Sequence, residues 1–459
     1  MTPEHDIDRR LAEARAAFEA AGPPREQFQC GLRYADLLAD KGGYQQAIDV
    51  LTRIRPLAGD GFEQGVVSQR CGWAYVRISK YDKALYNLRE ALNLLGARQG
   101  SFELALVYHD MAWMHYRQGY LEQARSYAEN AELALRCLPS RQDPQVTAVQ
   151  ADCHHLCSMI ESADGKYQEA IDRAEQGIII LERSNDILGL SAAYNKLSSI
   201  YQTTGAILRA FDYQRTSLEL AERSGNPYRR SISLKNLGEL HYVIGDLERA
   251  FQCHSDSLAL SLQAENLLGY IFNHAGMGRI HQARGDSDTA AEELQLALAK
   301  SREIRCRDRE SALLADLADL CCDCGSHRVA LRHLERAAAL DNERGQDPSP
   351  WHAVVAARAL LGADQPGRWQ EAAEQLHGVL SRPLVIGDEE FISIPELTMA
   401  ARLLLGNAYH RLGIGPRARE SYALAKRLAD EFCREFTADQ QRSYRQRRMI
   451  AEIDAAAAG

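Results

Sequence analysis

Two groups of residues in this 459-residue chain have the composition of metal or thiol chemistry. Cys153, His154, His155 and Cys157 lie close together, as do Cys321, Cys322 and Cys324. Tetrahedral zinc is held by such Cys and His sets, and a thiol beside an imidazole can form a nucleophilic pair. On a helix, Cys153 and Cys157 share a face at i and i+4. The competing reading is packing, because unpaired cysteine is among the most buried residue types. No Walker-type loop, GxGxxG, HExxH or GxSxG motif accompanies either group. The expectation is a non-enzyme with no catalytic residue, no metal and no cofactor.

Two other residue pairs suit recognition. Trp73 with Arg77 and Trp113 with Arg117 repeat the same spacing 40 residues apart. Tryptophan and arginine are enriched at binding hot spots, and arginine pairs carboxylates bidentately. A peptide with an acidic and an apolar side chain would suit them. The alternative is that both tryptophans pack against neighbouring helices, with the arginine stems covering them.

The elements that carry these residues follow from a repeat. The phrases GKYQEA, GAILRA, GDLERA, GDSDTA and GSHRVA end at Ala170, Ala210, Ala250, Ala290 and Ala330, each 40 residues from the last. Looser copies end at Ala47, Ala84, Ala124, Ala372 and Ala418. Twelve residues before the alanine stands a small residue, such as Gly72, Ser158, Ser198 or Gly278. Nine before it is often an aromatic or histidine, and seven after it is again small in most copies.

This pattern resembles the tetratricopeptide repeat, though the usual period is about 34 residues. Units of 40 are similar to those of kinesin light chains, Pins-type G-protein regulators, bacterial peptide-pheromone receptors and maltose-regulator-type activators. The resemblance implies an all-α, right-handed solenoid of about ten helical hairpins, with a concave groove lined by the first helix of each. It divides the chain into an N-terminal helix or cap at 1–25, a repeat array at 26–342, further hairpins with linker and loop insertions at 343–430, and a C-terminal capping helix and tail at 431–459. The stretches 139–144, 343–350 and 381–395 interrupt the pattern, the last as a loop packed on the solenoid.

Residues 15, 11, 8 and 7 before each anchor alanine share one helical face, which in this architecture lines the groove. That register selects Gln69, Trp73 and Arg77; His109, Trp113, Tyr116 and Arg117; His155; Asn195 and Gln202; Lys235, Glu239 and Tyr242; and Arg279. Asn236 lies beside it. Asn195 and Asn236 could hold a peptide backbone through both amide groups.

Composition agrees with this architecture. Proline is scarce, at 13 residues, as long runs of helix require. No apolar run reaches the ~20 residues of a membrane span, and no signal peptide is visible. Eleven cysteines and a net charge of −9 point to a reducing cytoplasm and away from a wholly nucleic-acid-binding surface. The basic stretch with Arg434, Arg442, Arg445, Arg447 and Arg448 reads as a solvated face, with nucleic acid a lesser option. The expected function is a cytoplasmic adaptor or scaffold that binds a peptide segment of another protein. The alternative is a peptide- or ligand-responsive sensor acting on an effector in trans. Self-association is also open.

Overall fold

The computed structural model describes residues 3–96, 101–138, 143–343, 347–363, 366–381 and 393–458. Among these, helix α1 (Pro3–Ala20) leads into ten antiparallel hairpins. The first three pair α2 (Pro24–Asp40) with α3 (Tyr44–Ile54), α4 (Gly61–Arg77) with α5 (Tyr81–Leu95), and α6 (Phe102–Arg117) with α7 (Leu121–Arg136). The next three pair α8 (Pro144–Ala163) with α9 (Tyr167–Ser184), α10 (Ile187–Thr204) with α11 (Ile207–Ser224), and α12 (Pro227–Val243) with α13 (Leu247–Gln263). Then come α14 (Leu267–Ala283) with α15 (Ser287–Glu303), and α16 (Arg307–Asp323) with α17 (His327–Glu343). The last two pair α18 (Pro350–Gly362) with α19 (Pro366–Leu380), and α20 (Ile394–Arg411) with α21 (Gly415–Phe432). Two short helices, α22 (Ala438–Gln446) and α23 (Arg448–Ala458), complete the chain. The fold is an all-α solenoid.

The repeat residues explain the hairpins. All ten anchor alanines are buried, because each sits where the second helix of a unit crosses the first. The small residue twelve positions earlier lies opposite. Ser158 Oγ donates to the carbonyl of Ala170 at 2.6 Å, and Ser198 Oγ to that of Ala210 at 2.8 Å. Where the position is glycine, no side chain would fit: a Cβ at Gly278 would stand 2.8 Å from Leu294, and one at Gly406 2.3 Å from the Tyr422 ring. The glycine that ends the first helix has positive φ in most units, at 88° for Gly205 and 81° for Gly245, a conformation that glycine adopts without Cβ strain. The ninth unit departs from this: Gly367 lies inside the first turn of α19 and not in a left-handed turn.

The solenoid winds back on itself. Asn226 Nδ2 donates to the carbonyl of Asp40 at 2.6 Å, 186 residues away. Tyr44 meets Tyr228 edge to face, with ring centroids 5.7 Å apart. Cys306 Sγ approaches the carbonyl of Arg117, and Arg447 donates to that of Val243 at 2.7 Å, separations of 189 and 204 residues. One superhelical turn thus takes about five units, and successive turns are in contact.

The final stretch is not the continuous helix that its sequence suggests. It turns after Phe432, and α22 and α23 fold back so that Tyr444, Ile450 and Ile453 bury against Ile207, Phe211, Leu240 and Val243 of the preceding superhelical turn. The interruptions at 139–142, 344–346 and 382–392, including the expected packed loop, lie outside the described residues. No helix among the described residues is long and apolar enough to cross a membrane.

Candidate functional site

Stacked turns narrow the expected concave groove to a half-enclosed cavity of about 130 Å³, room for roughly four waters. It lies between the first helices of five units, α6, α8, α10, α12 and α14, with Arg77 entering from α4. Eight of the residues selected from sequence converge on it: Arg77, Trp113, Tyr116, Arg117, His155, Asn195, Lys235 and Asn236.

Three more form a layer behind its wall. Gln69 donates to Asp110 at 2.5 Å, and half-buried Trp73 stacks 4.5 Å under Arg77. His109 places one ring nitrogen 3.1 Å from Asp110 and the other 2.9 Å from Asp152. Burial alone would lower the pKa of His109, but the two carboxylates outweigh it and hold it at about 9. His109 is therefore an imidazolium at neutral pH. Its Nε2 donates to Asp152 and cannot accept from the Trp113 Nε1 that lies 3.0 Å away.

Glu239, Tyr242 and Arg279 gather further along, away from the cavity. Arg279 Nη2 reaches both Glu239 oxygens at 3.0 Å, and Arg279 and Arg447 both lie 5.4 Å from the Tyr242 ring. Gln202 is half-buried and does not line the cavity.

The register overlooked Lys196, Tyr228, Arg229 and Phe272, which also line the cavity. Tyr228 and Phe272 lie on the selected face extended by one or two turns toward the helix N-terminus. The 3–4 residue periodicity reaches them once the helix is read to its cap. Asn226 and Asn266 are those caps, accepting from the backbone N–H of Arg229 and Gly269.

The electrostatics are one-sided. Burial would raise the Tyr228 phenol, but Arg117, Arg77 and Arg229 bring it down to about 8. Arg117 donates to the Tyr228 hydroxyl, and Arg77 stands 4.6 Å from its ring. His155 is driven to about 3 by burial, with Arg229 and Lys196 adding to the effect, so it is a neutral imidazole. Asn236 donates to Asn195 at 2.8 Å, and Gln214 to the same oxygen at 3.1 Å. This leaves the Asn195 amide N–H and the Asn236 oxygen as the pair's other donor and acceptor.

The cysteine clusters are poor sites for thiolate chemistry. Cys153 is buried, which pushes its thiol well up. Burial and Glu132 raise Cys157 to about 12, and burial and Asp319 raise Cys322 to about 12. Among the described residues, no three His, Cys, Asp or Glu side chains are grouped as a metal site would need. The basic C-terminal stretch is largely engaged in ion pairs: Arg447 with Glu396, Arg445 with Asp430 and Asp454, and Arg448 with Asp323 and Glu452.

Known proteins share the repeat and the overall fold. The tetratricopeptide-repeat model matches residues 189–263. An Arabidopsis thaliana protein, kinesin light chain-related 1, is 26% identical over 175 residues; the match covers 36% of this chain and 28% of that protein. A solved Rap protein, complexed with Competence and Sporulation Factor, superposes with a TM-score of 0.56 at 14% identity, covering 81% of this chain and 99% of that one. Aspartyl phosphate phosphatase F from Bacillus subtilis gives 0.48 at 13% identity, over 82% and 95%. Residues 189–263 thus carry tetratricopeptide repeats, a protein-interaction module, within an all-α solenoid.

Proposed function

We propose that the chain is a cytoplasmic, non-catalytic receptor for a short extended peptide, held in the interior cavity between α6 and α14. The observation that carries this reading is the convergence of Trp113, Asn195 and Asn236 with five arginine and lysine side chains from four units on one half-enclosed space. Aromatic walls would take the apolar side chains, the asparagine pair would take the backbone, and the cations would take an acidic group. The Rap protein of similar fold is complexed with Competence and Sporulation Factor. Eleven unpaired cysteines suit a reducing compartment.

The test is affinity selection from a mixed-sequence hexapeptide pool by the full chain, followed by mass spectrometry. The wild type retains a subset of peptides, and an Asn195→Ala, Asn236→Ala double variant of unchanged helix content loses them. Retention of no peptide, or equal retention by the variant, overturns the reading.

Tyr228 favours the sensor form of this function over a passive adaptor. It lines the cavity with one face and packs on Tyr44 of the adjoining superhelical turn with another. A ligand at Tyr228 therefore bears directly on how the turns stack. Small-angle scattering would show a change in radius of gyration on loading with a selected peptide, whereas an unchanged value marks an adaptor.

A further inference from the structure

The residue four positions after each anchor alanine packs the second helix of a unit onto the first. In most units it is buried and apolar, as at Leu51, Leu88, Leu294 and Leu334. Two consecutive units place fully buried polar side chains there instead, Gln214 on α11 and His254 on α13. Burying an amide where leucine serves elsewhere is costly unless its hydrogen bonds are made. His254 turns Nδ1 to Asn273, which lies outside the cavity wall. Gln214 bonds toward that wall. Its Nε2 donates to Asn195 Oδ1 at 3.1 Å and to the carbonyl of Ser233 at 2.9 Å, while its Oε1 is buried without a hydrogen-bond partner. Asn236 Nδ2 donates to the same Asn195 oxygen at 2.8 Å. Asn195 Oδ1 thus accepts from two sides. Asn195 and Asn236 line the cavity, and Gln214 stands behind them.

We propose that Gln214 is a positioning residue that fixes which way round the Asn195 and Asn236 amides face the cavity, a role that deepens the peptide reading and rests on it. Two amides bonded only to each other can both turn over and keep their hydrogen bond, with donor and acceptor exchanged. The cavity would then meet an Asn195 oxygen and an Asn236 N–H in place of the reverse. Gln214 forbids that turn, because it would set the Asn195 N–H against the Gln214 N–H in the interior, where opposed donors are costly. Gln214 cannot turn its own amide to compensate, since Oε1 would then face the Ser233 carbonyl that Nε2 now satisfies. The pair therefore presents one pattern, a donor from α10 and an acceptor from α12. An extended peptide matches it with a backbone carbonyl at Asn195 and a backbone N–H at Asn236. Because the pattern is set before the ligand arrives, no affinity is lost to a binding-incompetent orientation.

The experiment measures the affinity of the full chain for a hexapeptide that it retains from a mixed-sequence pool, together with the melting temperature. Gln214→Leu should keep or raise the melting temperature, since leucine fills this position in other units, yet bind the peptide about two- to tenfold more weakly. Twofold corresponds to equal populations of the two amide orientations. Gln214→Met is the second variant if the branched side chain perturbs packing. Asn195→Ala should weaken binding by itself. Adding Gln214→Leu to it should change affinity no further, because a residue that acts through Asn195 then has nothing to position. Unchanged affinity in both Gln214 variants overturns the positioning role and leaves peptide binding standing, as do losses that multiply in the double variant. A melting temperature lowered in both makes Gln214 a structural residue and also overturns the role. Retention of no peptide by the wild type overturns the peptide reading and the positioning role together.

Discussion

At the residue scale, polar side chains set both the stability and the character of the interior. Asn226 has two jobs: its oxygen caps α12 by accepting from Arg229 N–H at 3.0 Å, and its amide bridges to Asp40 of the neighbouring turn. Asn226→Ala should cost about 2 kcal/mol, roughly half from the cap and half from the bridge. Asn226→Ser keeps a cap and should cost about half as much in urea denaturation. Equal losses would mean that the cap contributes nothing. His109 gives a pH signature. Its folded-state pKa is raised to about 9, so the stability from its charged form is full below about pH 6.5 and lost as pH rises through 9. Unfolding free energy should fall by on the order of 2 kcal/mol across that window in the wild type. The fall should be much smaller in His109→Gln, and an identical slope in both would overturn the assignment.

At the element scale, the 40-residue period extends to backbone conformation. Asn185, Gly225, Glu265 and Arg305 all have positive φ, and they lie 40 residues apart where the second helix of a unit gives way to the next. Only one of the four is the residue that favours that region. Glu265 at φ 51° therefore carries strain that glycine would relieve, partly offset by glycine's larger freedom in the unfolded chain. Glu265→Gly should raise stability by about 0.5 kcal/mol in chemical denaturation, and a clear loss would show that the Glu265 side chain makes a contact worth more than the strain. The units were legible in sequence because small residues must recur wherever two helices cross closely. The break between α22 and α23 was not, since the basic stretch around Arg447 reads equally well as a continuous helix.

At the scale of the whole molecule, stability depends on contacts between superhelical turns. Half-buried Arg447 pairs with buried Glu396 and donates to the carbonyl of Val243, tying the C-terminal helices to α12. Arg447→Ala leaves Glu396 buried and uncompensated, and should cost about 3–5 kcal/mol. Arg447→Met combined with Glu396→Gln should recover most of that loss in thermal unfolding. A single-variant cost below about 1 kcal/mol would show that the seam is held by its apolar residues alone.

The sequence by itself determined the hairpin, the period and the face of each first helix, because these depend on contacts within a unit or with its neighbours. Seven of the residues chosen from that face, and Asn236 beside it, do line one cavity. Only the tertiary structure decided that the groove is closed by the next turn, that Glu239 and Arg279 neutralise each other, and that Tyr228 and Arg229 join the wall. The closure rests on residues about 190 positions apart in the chain, whose approach is set by the accumulated twist of five units. No local pattern encodes that sum, so the cation-lined cavity became visible only once the turns were stacked.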